Sequence, residues 1–69
     1  MADTVLFKVD SGVATITLNR PDSLNAIDHT LAHDLREATL QAEMNQDIRC
    51  VVISGSGPAF MAGGDIRAF

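Results

Sequence analysis

The residues best suited to chemistry lie near the end of the chain, in the segment Ala62-Gly63-Gly64-Asp65. Two adjacent glycines precede an acidic residue that is able to open a helix. The first turn of a helix has backbone N–H groups without intrahelical acceptors, and the helix dipole favours negative charge there. Such groups bind a fixed anion or stabilise charge that develops during a reaction. The same residues also fit a tight turn with a helix cap, although one glycine is usually enough for that.

A second glycine-containing segment, Gly55-Ser56-Gly57, follows a predicted strand and resembles the start of a dinucleotide-binding motif. That motif requires a third glycine three residues later, where this chain has Phe60. A phosphate-binding P-loop would require a Gly-Lys-Ser/Thr sequence, which the chain lacks. The segment therefore favours a plain loop over a nucleotide site.

His29 and His33 are four residues apart, a spacing that places two side chains on one face of a helix. Metalloprotease helices with this spacing carry a glutamate after the first histidine, whereas this chain has Thr30. With no third ligand evident, we expect solvated histidines and no metal site. Cys50 precedes a pair of valines, and we expect a small buried hydrophobic residue there, not a nucleophile. Met44 and Met61 are expected to be packing groups.

The elements that must position these residues begin with two strands. Apolar and other residues alternate over residues 5–9 and again over residues 13–18, which is the period of a half-buried strand. The short segment Asp10-Ser11-Gly12 separates the two runs. This pattern predicts a β-hairpin.

A helix is predicted after the break at Pro21. Asp28 is a suitable N-cap, and the helix is expected to reach about Met44 and to end at Asn45-Gln46-Asp47. Small and aliphatic residues recur at helical spacing on one face, which is suited to close packing on a sheet. These residues are Leu31, Leu35, Ala38 and Ala42.

The run Cys50-Val51-Val52-Ile53 is continuously apolar and predicts a strand that is covered on both faces. A strand, a helix and a second buried strand predict a parallel crossover and therefore an α/β fold. A new helix is predicted to open at Asp65.

Length and composition limit the choices further. The chain has 69 residues, of which 46% are hydrophobic, and its net charge is −4. A domain of this size buries only about 60% of its unfolded surface, and one cysteine cannot form an internal disulfide. We therefore expect the chain to be the front part of a larger fold, cut off at Phe69. Its five basic residues are scattered, which argues against nucleic-acid or membrane-surface binding. With no signal peptide or apolar span evident, and a single cysteine, we expect a cytoplasmic protein.

Four segments of the chain form an ordered set: Ile16-Thr17-Leu18-Asn19-Arg20-Pro21, Leu24-Asn25-Ala26, Val51-Val52-Ile53 and Phe60-Met61-Ala62-Gly63-Gly64-Asp65-Ile66-Arg67. In their order and spacing, these segments resemble those of the enoyl-CoA hydratase/isomerase (crotonase) family. The resemblance implies a spiral of ββα units, of which residues 1–69 would form the N-terminal portion of a single acyl-CoA-binding domain. It also implies an acyl-CoA thioester substrate, a role in fatty acid metabolism, and a homo-trimer or hexamer. Coenzyme A would be part of the substrate, with no separate cofactor or metal.

The resemblance also implies roles for individual residues. The backbone N–H of Gly64 would supply one half of an oxyanion hole that holds the thioester oxygen as it gains enolate character. A second glycine and the catalytic glutamates would lie beyond Phe69, so this chain alone is expected to be inactive. Asp65 is expected to order the loop at the start of the helix. Arg67 is expected either to bind a coenzyme A phosphate or to be exposed to solvent. The residues expected to contact the substrate are Ser23, Leu24, Ala26, Ala62, Gly64, Asp65, Ile66 and Arg67.

Three functions remain open from the sequence. A hydratase or isomerase that stabilises an enolate is the preferred hypothesis. A 3-hydroxyacyl-CoA hydrolase of the 3-hydroxyisobutyryl-CoA type is the alternative within the family, because its members resemble the Ala62–Arg67 segment. A non-catalytic module for acyl-CoA binding or assembly is the alternative from another class.

Overall fold

The computed structural model describes residues 4–64. It contains strand β1 (Val5–Asp10), strand β2 (Val13–Leu18), a short 3₁₀ helix (Pro21–Ser23), helix α1 (His29–Met44) and strand β3 (Cys50–Gly55). The helix predicted to open at Asp65 lies outside the described residues. No helix within residues 4–64 is long and apolar enough to cross a membrane.

The three strands form one sheet in the order β1-β2-β3. Strands β1 and β2 are antiparallel, and Asp10 pairs with Val13, so the hairpin turn contains only Ser11 and Gly12. Both turn residues have positive φ, 52° and 82°. This geometry matches the right-handed twist of the flanking strands and is accessible to glycine at little cost. The predicted hairpin is confirmed.

Helix α1 begins where the sequence predicts it. The Asp28 side chain accepts a hydrogen bond from the Leu31 backbone N–H at 2.8 Å, and Asn45 caps the other end. Leu31, Ala38 and Ala42 are buried, whereas Leu35 is only half-buried. Because the buried residues share one face, α1 lies against β1 and β2 along a narrow apolar stripe. Met44, expected to be a packing group, is 80% exposed because it lies in the last turn, beyond this stripe.

The core of the described chain lies between α1 and one face of β2. Ala14, Ile16 and Leu18 are fully buried, and they alternate with half-buried or exposed neighbours. Since side chains point to opposite faces along a strand, these three residues share the face of the sheet that meets the helix. The sequence pattern of β2 therefore determines where the helix packs.

Strand β3 pairs with β2 in parallel, which confirms the predicted crossover. The expectation that it is covered on both faces is wrong for the described chain. Val51, Val52 and Ile53 are each about 45% exposed, and Cys50 is exposed rather than buried. The physical reason is position: β3 lies at the edge of the sheet, and α1 packs mainly over β1 and β2.

Candidate functional site

The segment between β2 and α1, residues 19–28, is called here the connecting loop. Its backbone turns tightly, because the N–H groups of Ser23 and Asn25 both donate to the Arg20 carbonyl oxygen, at 3.0 and 2.8 Å. Leu24 and Asn25 both adopt left-handed conformations, with φ of 53° and 57°. Non-glycine residues rarely adopt such values, and two in succession require a surrounding structure that holds them.

The side chain of Arg20 supplies part of that structure. Its Nη1 donates to the Ala26 carbonyl oxygen and lies 3.5 Å from Asp28 Oδ2, and its Nη2 donates to Ser23 Oγ at 3.3 Å. The planar guanidinium is suited to several partners at once. It joins the start of the connecting loop to its end and to the N-cap of α1. Ser23, a predicted substrate contact, is thereby held by a neighbouring side chain.

Residues 61–64 are called here the glycine segment. They include the described residues of the predicted oxyanion segment Ala62–Asp65, and they run beside the connecting loop. The Ala62 N–H donates to the Leu24 carbonyl oxygen at 3.0 Å, and the Ile27 N–H donates to the Gly63 carbonyl oxygen at 2.7 Å. Ile27 and Gly64 form a parallel bridge. The fold therefore brings together two groups of residues that are about 40 positions apart in sequence: the predicted contacts Ser23, Leu24 and Ala26, and the pair Ala62 and Gly64.

The backbone N–H of Gly64 makes no hydrogen bond to the connecting loop. The bridge is made through the Gly63 carbonyl, and no hydrogen bond between residues of the 4–64 range has the Gly64 N–H as its donor. Gly64 is also exposed. Gly63 has φ of +115°, which L side chains rarely adopt, although a β-carbon there would meet nothing within 4 Å. The two glycines thus differ: the first has a backbone conformation that favours glycine, and the second is an exposed residue whose N–H has no acceptor within residues 4–64. The oxyanion role of that amide stays a prediction.

Asn25, which the sequence analysis did not single out as a site residue, joins the connecting loop to the turn after β3. It is fully buried, and its Nδ2 donates to the carbonyl oxygens of Ser56 and Ala59 at 2.9 and 2.8 Å. Its Oδ1 accepts from the Arg20 N–H at 2.8 Å. A signal was available in the sequence, because asparagine tolerates left-handed backbone and often marks an irregular turn.

Gly55, the last residue of β3, and Gly57, in the turn that follows it, fit closely against the same loop. A β-carbon on Gly55 would lie 2.7 Å from Asn25 Nδ2, and one on Gly57 would lie 2.9 Å from Pro21 Cβ. Both distances are shorter than those that real β-carbons show, so neither position has room for a side chain unless its neighbours move. The Gly55-Ser56-Gly57 segment is therefore a packed structural turn, in agreement with the plain-loop interpretation.

The depressions on the surface of the described chain include these two. One, of about 420 Å³, is lined by the connecting loop, from Asn19 to Ser23. The other, of about 200 Å³, lies between β1 and α1 and includes Asp34 and Glu37 but none of the predicted site residues. The first is therefore the depression adjacent to the predicted site.

The remaining chemical candidates are dispersed. His29 and His33 are exposed, and His33 Nε2 lies 4.0 Å from Glu37 Oε1. No group of three or more potential metal ligands occurs within residues 4–64. Asp65, Ile66 and Arg67 lie outside the described residues, so their predicted contacts stay predictions.

Comparisons with known proteins show the family of the chain. A family model described as "Enoyl-CoA hydratase/isomerase" matches residues 13–69. A Mycobacterium tuberculosis protein named "Probable enoyl-CoA hydratase EchA14" is 46% identical over 66 residues, which cover 96% of this chain and 26% of that protein. The Escherichia coli 1,2-epoxyphenylacetyl-CoA isomerase is 39% identical over 67 residues, covering 97% of this chain and 26% of that protein.

A solved structure of an enoyl-CoA hydratase/isomerase has the same fold over the matched residues. The crystal structure of an enoyl-CoA hydratase/isomerase from Mycobacterium paratuberculosis superposes with a TM-score of 0.90 at 45% identity, covering 94% of this chain and 26% of that one. The hairpin, helix and parallel strand are thus the N-terminal ββα part of a crotonase fold. The chain belongs to the enoyl-CoA hydratase/isomerase family. It spans about a quarter of the length of the curated relatives it matches.

Proposed function

We propose that the protein carrying this chain is an acyl-CoA hydratase or isomerase that stabilises a thioester enolate through the Gly64 backbone N–H. Residues 1–69 are the N-terminal portion of its single acyl-CoA-binding domain. The observation that carries the proposal is that Gly64 is an exposed residue beside the connecting loop, and that its N–H has no acceptor within residues 4–64. Family membership supplies the chemical class of the substrate.

Catalysis would depend on charge that develops during the reaction. When a thioester enolises, its carbonyl oxygen becomes negative, and a preorganised N–H donor stabilises that oxygen more than the neutral carbonyl. Removing one such donor costs about 3–4 kcal/mol of transition-state stabilisation. Ser23, Leu24, Ala26 and Ala62 would contact the coenzyme A part of the substrate, together with Asp65, Ile66 and Arg67. Coenzyme A belongs to the substrate, and no separate cofactor is proposed.

The assembly and the completeness of the site follow from the same proposal. The second oxyanion donor and the proton-transferring glutamates belong to the rest of the protein, so residues 1–69 alone are inactive. The exposed apolar residues of β3 are consistent with cover from further polypeptide. The full protein is proposed to act as a cytoplasmic trimer or hexamer. Size-exclusion chromatography with light scattering tests that assembly, and a monomeric full protein would contradict it.

The test of the proposed function uses the full-length protein that carries this chain, with crotonyl-CoA and 3-hydroxyacyl-CoA as substrates. Gly64→Pro deletes the N–H and is expected to lower kcat by on the order of 10²–10³. Gly64→Ala keeps the donor and is expected to lose far less. Release of free coenzyme A would instead indicate a hydrolase, and no turnover of any acyl-CoA by a correctly assembled protein would favour a non-catalytic module.

A matched control separates loss of the donor from the general effect of proline. Gln46 is exposed, follows the extended residue Asn45 (φ −91°, ψ 108°), and its N–H donates to no acceptor within residues 4–64. Extended backbone before proline is sterically favoured, so Gln46→Pro should be tolerated. Its kcat is expected to equal that of the wild type. Equal losses in Gly64→Pro and Gln46→Pro would refute the oxyanion role.

A further inference from the structure

We infer that Asn25 is a positioning residue that sets the location of the Gly64 amide through the connecting loop. This inference rests on the proposed function, because it concerns the same amide. Asn25 is too deeply buried to meet a substrate, being 0% exposed. It acts through the segments that its side chain holds.

The buried side chain of Asn25 makes three hydrogen bonds. Asn25 Oδ1 accepts from the Arg20 N–H, and Nδ2 donates both of its protons, to Ser56 O and Ala59 O. These partners are 5, 31 and 34 residues away in sequence. A buried amide that is fully hydrogen-bonded fixes the separation of the segments it joins, because any displacement leaves a buried polar group unpaired.

Residues on both sides of Asn25 bind the glycine segment through backbone hydrogen bonds. Leu24, the residue before Asn25, accepts the Ala62 N–H through its carbonyl oxygen, and Ile27 donates to Gly63 O. The glycine segment is therefore bonded to the backbone on both sides of Asn25. It also begins two residues after Ala59 in sequence, so Asn25 is bonded to the chain just before the segment as well as lying between its two backbone partners.

The connecting loop has an irregular backbone and fits closely against Gly55 at the end of β3. Leu24 and Asn25 are both left-handed, a conformation that costs energy in residues other than glycine. Gly55 has no room for a β-carbon because Asn25 Nδ2, Phe60 O and Ala59 O would all lie within 2.8 Å of it. An irregular backbone that is held in place by one buried side chain and one obligatory glycine is rigid. Rigidity of this kind is what a preorganised donor requires.

The test uses the full-length protein and the variant Asn25→Asp. Aspartate tolerates the left-handed backbone and keeps the acceptor for the Arg20 N–H, but it places a carboxylate oxygen against two carbonyl oxygens. Since a displacement of about 1 Å at a reacting centre can cost 10²-fold, kcat is expected to fall by roughly 10–100-fold. KM for the acyl-CoA should change by less than about threefold, because the donor acts on charge that appears only in the transition state.

The matched control is Asn45→Asp, the same chemical change at an exposed residue. Asn45 Oδ1 accepts from the Asp47 N–H, and a carboxylate oxygen keeps that bond. Its kcat and KM should equal those of the wild type. If Asn25→Asp raises KM alone, or leaves both constants unchanged while the protein stays folded, the positioning role is overturned.

A second measurement does not depend on activity. In Asn25→Asp, the backbone amides of Ile27 and Ala62 should exchange with solvent about tenfold faster or more, whereas buried amides of α1 keep their rates. Unchanged exchange at Ile27 and Ala62 would overturn the inference. If Asn25→Asp fails to fold, Asn25→Gly keeps the backbone conformation and removes the three bonds. In the wild type, the Asn25 side-chain amide should have the same protection factor as the backbone amides of Ile27 and Ala62, and clearly different protection factors would also overturn the inference.

The two proposals fail in different ways. If Gly64→Pro lowers kcat and folded Asn25→Asp does not, the positioning role is wrong and the oxyanion role stands. If Gly64→Pro leaves kcat unchanged, the oxyanion role is wrong, and the exchange rates still show whether Asn25 holds the glycine segment in place.

Discussion

Arg20 and Asp28 form an ion pair, with 3.5 Å between Nη1 and Oδ2, that closes the connecting loop against the first turn of α1. The side chains are 17% and 25% exposed, so solvent screens the pair only in part. The second oxygen of the same carboxylate, Oδ1, caps α1. Asp28 thus links Arg20, near the start of the connecting loop, to the first turn of α1.

Asp28→Ala removes both functions and should lower the free energy of unfolding of the full-length protein by about 1–2 kcal/mol. Asp28→Asn should lose less, because asparagine caps helices about as well as aspartate while lacking the charge. Urea denaturation measures both values. Asp22→Ala, at an exposed acidic residue of the same loop, is the control and should stay within about 0.5 kcal/mol of the wild type. Equal effects of Asp28→Ala and Asp22→Ala would show that the cap contributes nothing.

Arg20→Lys is expected to be destabilising although it preserves charge. The guanidinium reaches Ala26 O, Ser23 Oγ and Asp28 Oδ2 at once, whereas an ammonium is a single point charge. We expect a loss of about 1–2 kcal/mol, corresponding to one or two hydrogen bonds from a charged group. Thermal and urea unfolding of the full-length protein measure the loss. Arg36→Lys, on the exposed face of α1, should have no measurable effect. A neutral Arg20→Lys would mean that solvent replaces these contacts without cost.

Gly63→Ala tests whether the backbone of the glycine segment is strained for other residues. Space is available, since a β-carbon would meet nothing within 4 Å, so the cost should come from φ of +115° alone. We expect a loss of about 1 kcal/mol or more in the free energy of unfolding. Ala32→Gly makes the reverse exchange at an exposed position of α1. Because glycine is less favourable than alanine in a helix, it should also cost about 1 kcal/mol. Unchanged stability in Gly63→Ala would show that residue 63 adopts another conformation in the full protein.

Ile53→Ala tests whether the rest of the full-length protein covers β3. In the described chain Ile53 is 45% exposed, which by itself predicts only a small effect. If further polypeptide buries it, as the proposed domain requires, the loss should reach about 2–5 kcal/mol, the range found for large-to-small changes in cores. Met44→Ala, at a residue that is 80% exposed, is the control. A loss below about 1 kcal/mol in Ile53→Ala would mean that β3 remains uncovered.

Local sequence pattern was sufficient for most of the fold. The alternation over residues 13–18 predicted a half-buried strand, and β2 is one, because a strand has only two faces and water distinguishes them. Asp28 predicted the start of α1, because a helix begins where a side chain can satisfy its first N–H groups. These interactions join residues a few positions apart, and they can therefore be read from the sequence.

The tertiary structure alone decided what joins distant segments. Two of the three side-chain bonds of Asn25, and the absence of space at Gly55, connect residues about 30 positions apart, and no local spacing encodes them. The exposure of Cys50 and of β3 likewise depends on which strand lies at the sheet edge and where α1 packs. The sequence by itself determined the elements and the family, because short-range periodicity and motif order carry both. The position of the Gly64 amide relative to the connecting loop required the folded chain, because hydrogen bonds between segments depend on distance in space and not on distance in sequence.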